Sequence, residues 1–141
     1  MSLAAIHAAI PHRAPFLFLD RIVRQEMNQI HCQKTLTGQE FFYQGHYPDF
    51  PLTPGVILCE ACLQAGAVLL SQQSNASGKS VPVATRMNDV RWKRMVRPGE
   101  TIDIEVNLVE QLADAFFMTG KVSVAGKVAA RLEFACTMAE K

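Results

Sequence analysis

Two kinds of hydrophobic spacing divide the chain. In the C-terminal part Ile102, Ile104, Val106 and Leu108 alternate with Thr101, Asp103, Glu105 and Asn107, the pattern of a strand with one wet face. Val128, Ala130, Leu132, Phe134, Cys136 and Met138 alternate in the same way. Val56 to Leu70 is different, because its apolar residues fall on nearly every face and leave no single stripe. That spacing predicts a helix buried all round. About 18 residues of helix make a rod roughly 27 Å long, which only a surrounding sheet could cover. Thr53 is placed to cap it, with Pro54 at the first helical position, where a missing N–H costs nothing.

The remaining elements follow from punctuation. Ser2 caps a short helix over Leu3 to Ile10, which Pro11 stops. Phe16 to about Met27 reads as a first strand, Ile30 to Leu36 as a weaker second, and residues 81 to 96, with Trp92, as another. Gln72 to Ser80 is a polar loop. Ala125-Gly126 suits a tight hairpin and Pro98-Gly99 a type II turn. Residues 38 to 54 hold Gly38, Gly45, Pro48, Pro51 and Pro54 with Phe41, Phe42, Tyr43 and Tyr47. A long loop rich in aromatics is tied to a core, and such loops carry function. With no repeat and no linker, residues 1–141 read as one α+β domain whose antiparallel sheet wraps a central helix; strand order is left open.

Composition adds little to the fold but narrows the partners. Of 141 residues 49% are hydrophobic and only 19% charged, against about 25% charged in an average soluble domain. A charge-poor surface on a small body predicts a homo-oligomer. The net charge of +1 supplies no field that would draw the protein to nucleic acid or to an anionic membrane. The Val56–Leu70 run is broken by Glu60 and Gln64 and is shorter than the ~20 residues needed to span a bilayer. The first ten residues lack the Lys or Arg of a secretory leader, so a cytoplasmic location is expected. Cys32, Cys59, Cys62 and Cys136 read as reduced; Cys59 and Cys62 form a C-x-x-C with no second pair to complete a zinc site, and packing on the helix accounts for them.

Three features could do chemistry. Glu60 lies about one and a half turns inside the apolar helix, and a carboxyl there needs a partner. Gln64, four residues on, shares its face and can donate to it. A carboxyl satisfied by Gln64 and a neighbouring strand would account for the pair without catalysis. His46 stands in Gly45-His46-Tyr47-Pro48, just ahead of the helix. Gly55, with no side chain, lets a ligand approach its N–H at the positive end of the helix dipole. An imidazole that takes a proton, a carboxyl that delivers one and an amide that steadies an oxyanion are what β-elimination of water from a 3-hydroxyacyl thioester requires.

Pro11-His12-Arg13, Pro15-Phe16-Leu17, Asp20-Arg21, Phe41-Phe42, Gly45-His46-Tyr47-Pro48, Pro51, Pro54-Gly55-Val56, Glu60-Ala61, Gln64 and Pro98-Gly99 together resemble the (3R)-hydroxyacyl-(acyl carrier protein) dehydratases of the FabZ type, over about residues 6 to 135. The resemblance implies a dimeric hotdog fold, with a sheet continuous across two subunits and often a trimer of dimers. It implies that His46 removes the C2 proton and that Glu60 of the other subunit protonates the departing C3 hydroxyl. The N–H groups of Gly55 and Val56 would hold the thioester carbonyl, Gln64 would orient Glu60, and Phe42, Tyr47 and Pro54 would line the substrate tunnel. Asp at position 60 marks the related dehydratase-isomerases, so Glu60 favours dehydration alone. No metal or organic cofactor is implied.

The chain departs from the family's pattern at Ala14 (often Tyr), Thr53 (usually Met) and Trp92 (usually Phe), the first two bearing on the tunnel and its entrance more than on the catalytic pair. Arg86, Arg91, Lys93, Arg94 and Arg97, offset by Asp89, form a basic stretch. It either steers an acidic acyl carrier protein with its phosphopantetheine arm or is an ordinary solvated strand face. A hotdog acyl-thioesterase and a non-catalytic acyl or carrier-protein binding module are the alternatives; the presence of both His46 and Glu60 counts against each.

Overall fold

A computed structural model of the chain describes residues 2–72 and 80–140. In order along the chain it contains α1 (Leu3–Ala9), β1 (Arg21–Gln25), β2 (Gln29–Thr35), a 3₁₀ turn (Phe41–Tyr43), α2 (Gly55–Ser71), β3 (Ser80–Trp92), β4 (Thr101–Leu112), β5 (Ala115–Val124) and β6 (Lys127–Glu140). The six strands form one antiparallel sheet in the order β1-β2-β4-β5-β6-β3. The crossover that sends β3 to the far edge, beside β6, is what sequence periodicity left undetermined.

α2 lies against β2, β3, β4, β5 and β6. Alternation supplies the inner layer of the sheet, with Ile30 and Cys32 from β2, Ile102, Ile104 and Val106 from β4, Met118 and Val122 from β5, and Leu132 and Phe134 from β6, all buried. The helix answers with Leu58, Ala61, Cys62, Ala65, Val68, Leu69 and Leu70, so sheet and rod make one core cluster. This is the hotdog arrangement, a sheet wrapped around a central helix. Ala125 and Gly126 both take positive φ, 50° and 81°, as a two-residue hairpin that follows the strand twist demands.

Several boundaries differ from the sequence reading for identifiable reasons. The first strand begins at Arg21, not Phe16, because the backbone of residues 16–18 is bonded to the side chain of Gln64 instead of to a ladder. α1 ends at Ala9, and Ser2 makes no side-chain cap bond. Pro54, not Thr53, is the capping residue of α2: the Thr53 hydroxyl is engaged with the Tyr43 hydroxyl at 2.7 Å. α2 spans 17 residues and is not buried on every face, since Val56 is 66% exposed. β3 stops at Trp92. The polar loop expected over 72–80 falls, apart from Gln72 and Ser80, outside the described residues.

Candidate active site

The loop between β2 and α2 is anchored at both ends. At its start the Lys34 ammonium lies 3.5 Å from Asp20 and 3.9 Å from Glu40. Burial works against the Glu40 charge, but N–H donors from Thr37 and Gly38 with the Lys34 charge hold its carboxyl below the ordinary range. In the middle Phe42 is buried against Phe18, Phe41 and Tyr43. Burial pushes the Tyr43 phenol up, only partly offset by its Thr53 hydrogen bond, so a neutral hydroxyl holds the loop to the helix start. The Thr53 N–H also donates to the Val96 carbonyl at 2.8 Å.

His46 is carried on this anchored loop. Its Nδ1 lies 3.0 Å from the Leu52 carbonyl oxygen. A carbonyl only accepts, so Nδ1 bears the proton and Nε2 is left as the basic nitrogen. The ring stands edge-on to Tyr47, with centroids 4.8 Å apart, and Tyr47 takes a left-handed φ of 52° beside it. His46 opens onto a cavity of about 310 Å³ that is also lined by Leu52, Thr53, Gly55, Val56, Leu58, Trp92, Arg94 and Met95. Gly55 and Val56 begin α2, where the N–H groups of the first turn have no partner within the helix. His46 and the two residues that open α2 therefore line one cavity.

Glu60 is held elsewhere. Gln64, fully buried, donates from Nε2 to the Phe16 carbonyl at 3.0 Å and to Glu60 Oε2 at 3.1 Å, while its Oε1 accepts the Phe18 N–H at 2.8 Å. Every bonding group of that amide is used, so its orientation is fixed. Its grip falls on Oε2 alone. His12 Nε2 lies 4.0 Å from the same Oε2, and His12 Nδ1 is buried without a hydrogen-bond partner. Glu60 is not among the residues lining the His46 cavity, so within one protomer the two groups occupy different walls.

The structure brings together His46, Gly55 and Val56, pairs Glu60 with Gln64 as their spacing predicts, and puts Pro54 at the helix entrance. Tyr47 is exposed beside His46, whereas Phe42 packs into the aromatic core and does not line the cavity. The basic stretch divides. Lys93, Arg94 and Arg97 line an open groove of about 580 Å³ with Trp92 and Met95. Arg91 pairs with Asp89 at 2.9 Å and Arg86 lies over the Phe117 ring. The sequence reading missed His12 as a neighbour of Glu60, the Leu52 carbonyl that sets the His46 tautomer, and the Trp92 indole, which donates to the Gly55 carbonyl at 2.9 Å. Only His12 carried a signal, its place in the Pro11-His12-Arg13 block. The thiols take no part: burial pushes Cys32 up to about 12 and raises Cys62, next to Cys59 and Cys32, further still.

The chain is similar to known proteins. Residues 10–133 match the model of the FabA-like domain family. The 3-hydroxyacyl-[acyl-carrier-protein] dehydratase FabZ of Clostridium perfringens is 36% identical over 129 residues, covering 92% of each chain. The FabZ of Caulobacter vibrioides is 38% identical over 143 residues, covering 99% of this chain and 89% of its own. Among solved structures, the dehydratase heterocomplex ApeI:P from Xenorhabdus doucetiae superposes with a TM-score of 0.81 at 22% identity, over 96% of this chain and 91% of that one.

Proposed function

The chain belongs to the FabA-like family and is a 3-hydroxyacyl-[acyl-carrier-protein] dehydratase of fatty-acid biosynthesis, and we propose that His46 and Glu60 carry its two proton transfers, one from each protomer of a homodimer. His46 Nε2 takes the proton from C2. The released electron pair forms the C2–C3 double bond, the C3–O bond breaks, and the departing hydroxyl takes the proton of the Glu60 carboxyl and leaves as water. The N–H groups of Gly55 and Val56 hold the thioester oxygen while charge builds on it. The products are a trans-2-enoyl thioester and water, with His46 protonated and Glu60 ionised until both exchange with solvent. Run backwards, the same groups hydrate the enoyl thioester.

The observation that carries this reading is the shared cavity, where the basic nitrogen of His46 and the start of α2 face apolar walls suited to an acyl chain. An exposed edge of the sheet supports the dimer. β3 is a 13-residue edge strand, mostly exposed, with Val83, Met87 and Trp92 open to solvent. Such an edge is a template for pairing. A second copy added antiparallel there extends the sheet and brings the partner's α2 beside the His46 loop. Further assembly into a trimer of dimers, residence in the cytoplasm as one domain over 1–141, and docking of the acyl carrier protein on Lys93, Arg94 and Arg97, with Arg91 at its margin, belong to the same reading.

Two measurements test it. Crotonyl thioesters on carrier protein and on coenzyme A should lose enoyl absorbance as they hydrate; thiol release without that loss would mark a thioesterase instead, and no turnover of any chain length a binding module. His46→Ala and Glu60→Gln, each inactive alone, should recover about a quarter of wild-type activity when co-expressed, because half of the pairs are mixed and each mixed pair holds one intact site. A site contained within one protomer would recover nothing.

A further inference from the structure

His12 has no task in the two proton transfers, yet it stands beside one of the groups that make them. Its Nε2 lies 4.0 Å from Glu60 Oε2, the oxygen that already accepts the Gln64 amide at 3.1 Å. Its other nitrogen, Nδ1, is buried with no hydrogen-bond partner among the described residues. That atom is closed off within one chain, so a second subunit cannot reach it either. The Arg13 guanidinium pins the backbone that carries the ring, donating to the carbonyls of Ile10 at 2.8 Å, His12 at 2.7 Å and His7 at 3.0 Å.

These contacts decide where the ring keeps its proton. A neutral imidazole has one N–H. On Nδ1 it would be a buried donor without an acceptor, and the lone pair of Nε2 would be turned on a carboxyl oxygen. On Nε2 it faces that oxygen instead. We propose that His12 is a positioning residue for the acid: its Nε2–H and the Gln64 amide both donate to Oε2, so that the proton Glu60 delivers is carried on Oε1. This rests on the dehydratase reading. A gap of 4.0 Å is longer than a formed hydrogen bond and too short to hold a water. Hydrogen bonds of catalytic groups are often this long before substrate binds and tighten in the complex. A donor holds a carboxylate more strongly than the neutral acid. The gain therefore arises as the proton leaves, and it appears in kcat and not in KM.

The test reads the ring directly and then removes it. In two-bond proton–nitrogen correlation spectra of the labelled wild-type protein at alkaline pH, where imidazoles are neutral, the His12 signals are those lost in His12→Gln. They should show the Nε2–H form, opposite to the Nδ1–H form that the Leu52 carbonyl sets for His46, and they should move in Glu60→Gln. In turnover His12→Leu should lower kcat about tenfold or more at an unchanged KM, while His12→Gln, whose amide reaches the same oxygen, should stay within about threefold of wild type. Circular dichroism checks the folding of each variant. An Nδ1–H form, or signals indifferent to Glu60→Gln, would overturn the proposal whatever the turnover. So would an unchanged kcat in His12→Leu, or equal losses in the two folded variants, which would mark packing alone. Failure of the wild type to dehydrate any 3-hydroxyacyl thioester would instead sink the dehydratase reading, with the spectra still deciding whether His12 donates to Glu60.

Discussion

The two halves of α2 have nearly the same hydrophobicity and opposite duties. From Ala61 to Leu70 only Leu63 escapes full burial, and Gly66 and Cys62 sit so tightly against β5 and β6 that an added Cβ at Gly66 would meet Phe134 at 3.0 Å. From Gly55 to Glu60 the helix is open: Val56 faces the cavity, the first N–H groups are unspent, and a carboxyl hangs from one side. Hydrophobicity alone therefore does not separate a floor for substrate from a core. What separates them is whether the sheet covers the turn in question.

The largest effect expected is on the covered half. Leu69→Ala removes a side chain that is fully buried and should cost about 2–5 kcal/mol in chemical denaturation, leaving kcat near wild type wherever the protein is still folded. His46→Ala and Glu60→Gln should do the reverse, lowering turnover by about 10²-fold or more, equivalent to about 2.7 kcal/mol, with little change in the denaturation midpoint. If Glu60→Gln also unfolded the protein, the division of the helix would fail.

Gln64 stands at the boundary and should show both defects. Gln64→Leu strands the Phe18 N–H and the Phe16 carbonyl, costing about 1–3 kcal/mol, and also frees Glu60, so kcat falls in protein that remains folded. A variant that lost stability while keeping kcat would assign this amide to the core alone.

The smallest effect is a pH dependence set by thiols buried in the core. Burial raises the thiols of Cys32 and Cys62 above their ordinary value of 9.0, Cys32 to about 12. The folded chain then keeps these protons when the unfolded chain sheds them. Stability from this source is complete below about pH 9 and declines as pH rises toward 12, by about 1 kcal/mol per thiol between pH 9 and 10. Denaturation midpoints at those two pH values check it, and Cys32→Ala should flatten the slope.

Much of this was legible in the sequence where one period or one spacing decides the outcome. The alternation at 102–108 and 128–138 fixed β4 and β6, the all-round apolar run fixed α2, and the i, i+4 relation of Glu60 and Gln64 became a 3.1 Å hydrogen bond. Residues 16–18 misled because apolar aromatics there suit a strand, yet backbone groups of Phe16 and Phe18 serve a side chain 46 residues away or more. No local pattern encodes that. Thr53 misled in the same way, as a good capping residue already committed to Tyr43. The indole of Trp92 over Gly55 brings together positions 37 residues apart and carried no spacing signal at all.

The double tether of Gln64 to Phe16 and Phe18 gives the N-terminal segment a part in chemistry to which it lends no reacting atom. A deletion that trims the first eighteen residues would spare His46, Glu60 and the whole sheet, yet it would release the amide that aims the acid. Such a truncated enzyme would join an active-site lesion to the loss of the core side chains Ile6, Ile10 and Phe18, though its ends lie far along the chain from residue 60.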